Sequence, residues 1–204
     1  MILTTLDYLP LSLESYCQHF FNILLYNHKT IKLSRSLDQE VDYQQILGYS
    51  CRSLFETTLL FFYQQNPNLK IMTTPLHHTS FRNIIEKYVK TENIYLFEMD
   101  DNYQKIQSIP NFDDDIQIDL CIVTHTFGQD LDTSILQEYQ EKHLERHPNC
   151  IFMEDRVQGG RFSKIFSNSC FDLAFYSTGM DKKPCGLGGG FVCIRSQYDD
   201  LTNY

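Results

Sequence analysis

The chain has 204 residues, 42% of them hydrophobic and 21% charged, which suits one domain with a substantial core and excludes a disordered composition. A formal net charge of −9 and a pI near 5.1 argue against a nucleic-acid surface, and lysine and arginine do not cluster beyond Lys182–Lys183. Seven cysteines without a CxxC fit reduced thiols better than a disulfide framework. No secretory-leader pattern is read at the N-terminus, and apolar runs such as Leu59–Tyr63 are far too short for a membrane span. The expectation is a soluble cytoplasmic protein that binds neither nucleic acid nor membrane.

In chain order, residues 1–47 form an N-terminal helical segment. Leu13, Tyr16, Cys17, Phe20, Phe21, Leu24 and Leu25 recur at threes and fours within Leu11–Tyr26, the spacing of an amphipathic helix. A second helix is predicted over Cys51–Tyr63 with Ser50 as its N-cap. Strands are predicted at Lys70–Thr73, Asn93–Phe97 and Ile118–Val123, separated by helical stretches at Ser80–Val89 and Thr133–His143. Further short apolar runs follow at Cys150–Met153, Phe171–Tyr176 and Phe191–Ile194. Strands alternating with helices give an α/β fold, a mostly parallel sheet flanked by helices, over residues 48–204. Asp113–Asp115 reads as a solvated loop.

The last three apolar runs each adjoin polar landmarks: Asp155-x-x-Gln158, Ser177 with Lys182 five residues on, and Gly188–Gly190 opening a strand. An acid, a hydroxyl and a lysine at one sheet edge are what a pyridoxal phosphate site requires. The acid keeps the pyridine nitrogen protonated, the hydroxyl holds phosphate, and the lysine amine forms the Schiff base. The start of the second helix presents N–H groups that suit an anion, and a capped surface helix would look the same. Rival chemistries lack their patterns. The histidines and cysteines show no zinc spacing, no Gly-x-Ser-x-Gly elbow occurs, and Gly186–Gly190 precedes a strand where a nucleotide loop would open a helix.

From Gly48 to Ser196 these motifs resemble the DegT/DnrJ/EryC1/StrS sugar aminotransferase family, fold-type I pyridoxal-phosphate enzymes. His125-Thr126-Phe127-Gly128-Gln129 is similar to the family's His-x-Tyr/Phe-Gly-Gln, and Glu154-Asp155-Arg156-Val157-Gln158 to its Glu-Asp-x-x-Gln. Ser177 and Lys182 fall on its phosphate serine and Schiff-base lysine, followed by Gly189-Gly190-Phe191-Val192. The resemblance implies pyridoxal 5'-phosphate as cofactor, Lys182 as catalytic residue, Asp155 facing the ring nitrogen and Gln158 near the ring hydroxyl. Arg52 and Ser53 fall near the phosphate, and an aromatic residue stacks on the ring. Counting back from Asn83 gives His78 for that ring and counting forward from Pro75 gives Thr79; a surface histidine would look the same. His125, at the same edge, is a candidate contact to cofactor or substrate, or a structural hydrogen bond closing the turn.

The chain departs from the family at Ser50-Cys51-Arg52-Ser53, where the family has Ser-Gly-Thr, and between Gln158 and Arg161, where it is two residues shorter. The family continues into a second domain after the Gly-Gly strand, so this chain, ending at Tyr204, matches the large domain without the C-terminal small domain. The activity implied is transfer of an amino group from an amino acid to a nucleotide-linked keto sugar, in a homodimer or with a complementary C-terminal chain. The alternatives are a non-catalytic remnant or subunit of a split enzyme, or another fold-type I chemistry such as a lyase.

Overall fold

A computed structural model of the chain describes residues 43–110, 116–144, 149–159, 166, 170–179 and 188–195. Strand β1 spans Tyr43–Gly48, helix α1 Cys51–Gln65, β2 Ile71–Thr73, α2 Thr79–Tyr88, β3 Ile94–Leu96, β4 Glu98–Met99 and β5 Ile106–Ser108. Then come β6 Leu120–Thr124, α3 Ser134–Leu144, β7 Ile151–Asp155, β8 Leu173–Ser177 and β9 Gly190–Arg195. The helix expected at Leu11–Tyr26 and the loop at Asp113–Asp115 lie outside the described residues. No helix among the described residues is long and apolar enough to cross a membrane.

The main sheet has seven strands in the order β1-β9-β8-β7-β6-β2-β3. Neighbours from β8 to β3 pair in parallel, whereas β9 is antiparallel to both β8 and β1. The chain winds outward from β2 to β3, then continues on the other side of β2 through β6, β7 and β8. The winding therefore reverses between β2 and β6, and a crevice opens there outside the carboxyl ends of the strands.

Side-chain alternation divides the core into two layers. Ile71, Leu120, Ile122, Ile151, Met153, Leu173, Phe175, Val192 and Ile194 face α1 and α2, which contribute Cys51, Phe55, Leu59, Phe81, Ile84 and Ile85. Phe55 stacks on Phe81 at 4.2 Å and meets Phe175 edge-on, joining both helices to β8. The intervening residues Cys121, Val123, Phe152, Ala174, Tyr176, Phe191 and Cys193 face the opposite layer, with Leu136 of α3.

Helix α1 starts where Ser50 closes a capping box with Ser53: the Ser50 hydroxyl accepts the Ser53 N–H at 3.0 Å, and the Ser53 hydroxyl accepts the Ser50 N–H at 3.3 Å. That turn is pressed against β9. A Cβ on Gly190 would lie 2.4 Å from the Cys51 nitrogen and 2.7 Å from the Tyr176 carbonyl oxygen, so only glycine lets helix and strand meet here. Gly189, with φ +88°, turns the chain into that contact beside Ser50.

Gly190→Ala is therefore expected to destabilise the fold by about 1–3 kcal/mol or more, because both atoms in its way are backbone and cannot rotate aside. A denaturant midpoint within error of the wild type would show that the α1–β9 contact is loose.

Candidate active site at the carboxyl edge of the sheet

Alternation decides which strand-end side chains share a face. Thr73, Thr124, Asp155 and Ser177 continue the layer that faces α1 and α2; His125 and Glu154 continue the opposite one. Thr124 and Asp155 are register partners, and Ser177 stands two residues beyond Phe175, the partner of Asp155. Ser177 pairs with Gly190, the residue against which Cys51 of α1 rests. The acid, the hydroxyl and the helix N-terminus thus lie on one face of one edge.

Asp155 is buried, and its Oδ1 accepts the Val157 N–H at 2.9 Å, an Asx turn that bends the chain sharply after β7. Ser177 is half-buried and its hydroxyl accepts the Gly179 N–H at 3.3 Å, leaving its own proton to donate. Arg52 is exposed in the first turn of α1, and among the described residues no acceptor meets its N–H. Ser53 is committed to the capping box, so its hydroxyl is already engaged; what this turn offers an anion is chiefly backbone and dipole. Gln158 is half-buried on the turn after Asp155, its carbonyl accepting the Gly128 N–H at 3.0 Å. Lys182 lies outside the described residues.

The two neighbouring histidines have different duties. His78 is exposed and caps α2, its Nδ1 accepting the Ser80 N–H at 3.3 Å. His77 sits over the crevice between β2 and β6, with Nε2 2.7 Å from the Thr73 hydroxyl and Nδ1 2.6 Å from the Thr124 hydroxyl. The Thr73 hydroxyl spends its only proton on the Ile122 carbonyl at 3.0 Å, so it must accept from His77. Nε2 therefore carries the ring proton and Nδ1 accepts from Thr124. Desolvation by burial lowers the His77 pKa to about 4, which keeps the ring neutral. Sequence reasoning passed over His77; the signal was the threonine at the end of each flanking strand.

On the opposite face His125 is fully buried, with Nδ1 accepting the Leu131 N–H at 2.9 Å and Nε2 3.0 Å from Glu154 Oε2. A backbone N–H can only donate, so Nε2 holds the proton and gives it to the carboxylate. Arg156 completes the chain, 3.4 Å from Glu154 and 3.0 Å from Asp130. The five described cysteines are all buried; burial pushes the Cys170 thiol up to about 12 and raises those of Cys121, Cys150 and Cys193 as well, so these four are not poised as thiolate nucleophiles. Nor do the described residues gather a group able to hold a metal ion.

No protein-family model matches the chain, and no curated protein matches it in sequence. Solved structures match in fold. A sugar aminotransferase from Micromonospora echinospora aligns with TM-score 0.56 and 18% identity over 78% of this chain and 43% of its own. An L-threonine-O-3-phosphate decarboxylase from Porphyromonas gingivalis aligns with TM-score 0.55 and 12% identity over 95% and 61%. An aminotransferase from Streptoalloteichus hindustanus aligns with TM-score 0.54 and 14% identity over 78% and 42%. The chain spans roughly two fifths to three fifths of the length of these proteins. Its mostly parallel sheet with flanking helices is shared with these solved structures, the α/β arrangement that the sequence leads one to expect.

The His77 bridge has a pH signature. Between about pH 6.5 and pH 4 the unfolded chain binds a proton on His77 that the folded chain refuses, so stability is fully present above 6.5 and falls towards 4. The loss should reach up to ~3 kcal/mol. His77→Gln should flatten that segment of the stability–pH curve in denaturant unfolding; an unchanged slope would mean that His77 titrates freely in the fold.

Proposed function

We propose that this chain is the large, cofactor-binding part of a pyridoxal-phosphate aminotransferase, related to enzymes that move an amino group from an amino acid to a nucleotide-linked keto sugar. The observation that carries the reading is the shared face of Asp155, Ser177 and the α1 N-terminus at the carboxyl edge of a fold-type I sheet. The pocket chemistry suits the cofactor at both ends. A buried carboxylate suits a protonated pyridine nitrogen, while a donor hydroxyl beside a helix N-terminus, packed through Gly190, suits a phosphate.

When bound, the cofactor supplies an electron sink for the substrate's α-carbon. The chain's own residues bind and orient. Asp155 would hold the negative charge that the ring nitrogen requires, and Ser177 with the backbone of Arg52 and Ser53 would hold the phosphate. Gln158 would serve the ring hydroxyl, and Lys182 would supply the amine that holds the cofactor and moves a proton. For the ring face, the bridging geometry favours His77 over His78, whose side chain is spent on capping α2.

Reduction with borohydride in the presence of pyridoxal phosphate should fix the cofactor on the peptide that contains Lys182, and Lys182→Ala should abolish the label. Label confined to Lys183 or scattered over many lysines would reject this assignment. Asp155→Asn should still bind cofactor but lose most exchange of an amino acid's α-hydrogen, a loss of about 10²-fold or more. Full exchange in that variant would remove Asp155 as the ring partner.

We also propose a cytoplasmic assembly in which a second copy or a complementary chain covers the site. Support comes from the exposed apolar side chains at this edge. Tyr49 follows β1, Leu96 ends β3, Tyr103 turns the β4–β5 hairpin and Phe127 follows β6, and Tyr49 and Phe127 are 71% and 74% exposed. Apolar surface gathered on one side of a domain marks contact sites. Light scattering should report a dimer or larger; a monomer with full turnover on a keto-sugar nucleotide would overturn this part.

A further inference from the structure

The buried chain His125–Glu154–Arg156–Asp130 takes no part in the cofactor contacts just described, yet it lies directly behind them. Glu154 and Arg156 flank Asp155 in sequence, and alternation sends Glu154 to the opposite face. His125 and Asp130 belong to the loop that leaves β6. Two backbone bonds run between the same two segments, and a third tightens the turn itself. His125 N–H donates to the Asp155 carbonyl at 2.9 Å and Gly128 N–H to the Gln158 carbonyl at 3.0 Å, while within the turn Gly159 N–H donates to the Arg156 carbonyl at 3.2 Å. The ends of this ladder are locked by side chains: Leu131 N–H on His125 Nδ1, and the Arg156 guanidinium on both oxygens of Asp130 at 3.0 and 3.2 Å.

Burial makes the lock directional. Arg156 and Glu154 are 7% and 0% exposed, so each needs its partner, and the planar guanidinium presents its N–H groups to Glu154 and to both oxygens of Asp130 in one fixed geometry. Gly159 closes the seam, since a Cβ there would lie 3.1 Å from the His125 Cβ. The loop that follows β6 and the turn that follows β7 are consequently tied together by backbone and side-chain bonds.

We infer that Arg156, held between Glu154 and Asp130, is a positioning residue that fixes Asp155 and Gln158 at the sheet edge by bracing their turn against the 126–131 loop. The inference rests on the cofactor reading above for what those two residues hold; the brace itself rests on the geometry alone.

The test uses the full chain with Arg156→Met, Arg156→Lys and the milder Asp130→Ala, which leaves no buried charge without Arg156 beside it. Two quantities are read: hydrogen exchange at the His125 and Gly128 amides, and affinity for pyridoxal phosphate by fluorescence titration. Asp130→Ala and Arg156→Met should speed exchange at Gly128 about tenfold or more, the size of one lost hydrogen bond, while the Asn66 amide at the end of α1 keeps its wild-type rate. Cofactor affinity should weaken in parallel, with Arg156→Lys between wild type and Arg156→Met. Unchanged Gly128 exchange in Asp130→Ala would overturn the brace, and faster exchange with undiminished affinity would overturn its positioning role. A wild-type chain that takes up no pyridoxal phosphate would instead remove the cofactor reading, and the exchange measurement would still decide the brace.

Discussion

The seating of α1 on β9 through Gly190 is the constraint on which the rest of the edge depends. Without a side chain at 190 the first turn of α1 drops against the backbone of the antiparallel strand, and Ser177, the partner of Gly190, comes alongside it. The helix N-terminus and the hydroxyl then converge because two backbones touch. No side-chain contact could set that distance as firmly, since side chains rotate and backbone atoms 2.4 Å from a would-be Cβ do not. The positive-φ glycine before it, Gly189, and the capping box at Ser50 and Ser53 serve the same junction from either side.

A single strand, β7, carries both the proposed chemistry and its support by virtue of its period of two. Asp155 emerges on the α1–α2 face and Glu154 on the other, so neighbouring acids acquire unrelated surroundings. Glu154 is enclosed by His125 and Arg156 and is structural. Asp155, at the last residue of the strand, is turned by its Asx bond to Val157 towards the edge that Thr124 and Ser177 also reach. A one-residue slip in β7 would exchange these roles outright, which is why the buried register with β6 and β8 matters as much as the identity of either acid.

Much of this was legible in the sequence where burial writes a strong pattern. Runs such as Ile118–Val123 and Phe171–Tyr176 are apolar on both faces because both faces are covered, and they appear as β6 and β8. The Ser50 cap was equally readable, because it depends on neighbours three residues away. Strand β1 was not, for Tyr43–Gly48 is a half-buried edge strand of mixed polarity that owes its pairing to β9, far along the chain. The separate surroundings of Glu154 and Asp155 came only with the register, and the difference between His77 and His78 came only with the Thr73 and Thr124 hydroxyls that meet on the His77 ring from β2 and β6. The Arg156 brace was illegible for the same reason: its partner at 130 lies on the loop after β6, which only the sheet brings beside the end of β7.

The rim of the crevice combines stiffness with exposed aromatic surface. Tyr103 and Phe127 are the non-glycine residues with positive φ among those described, at +55° and +56°. Bulky side chains avoid that region, at a cost of order 1–2 kcal/mol, so surrounding bonds must hold each one there. Tyr103 is held by its N–H on the Asp100 carbonyl and by the Asp100 carboxylate gripping the next two amides; Phe127 is held between the His125 and Gly128 bonds to the β7 turn. Tyr103 lines a shallow cleft with Leu76, Met99, Thr124 and Thr126, beside the Thr124 hydroxyl that meets His77. The backbone is thus bent, against its preference, in a way that leaves two aromatic rings facing outward at the β2–β6 switch point. Exposed rings of this kind are what the proposed covering by a second chain would bury.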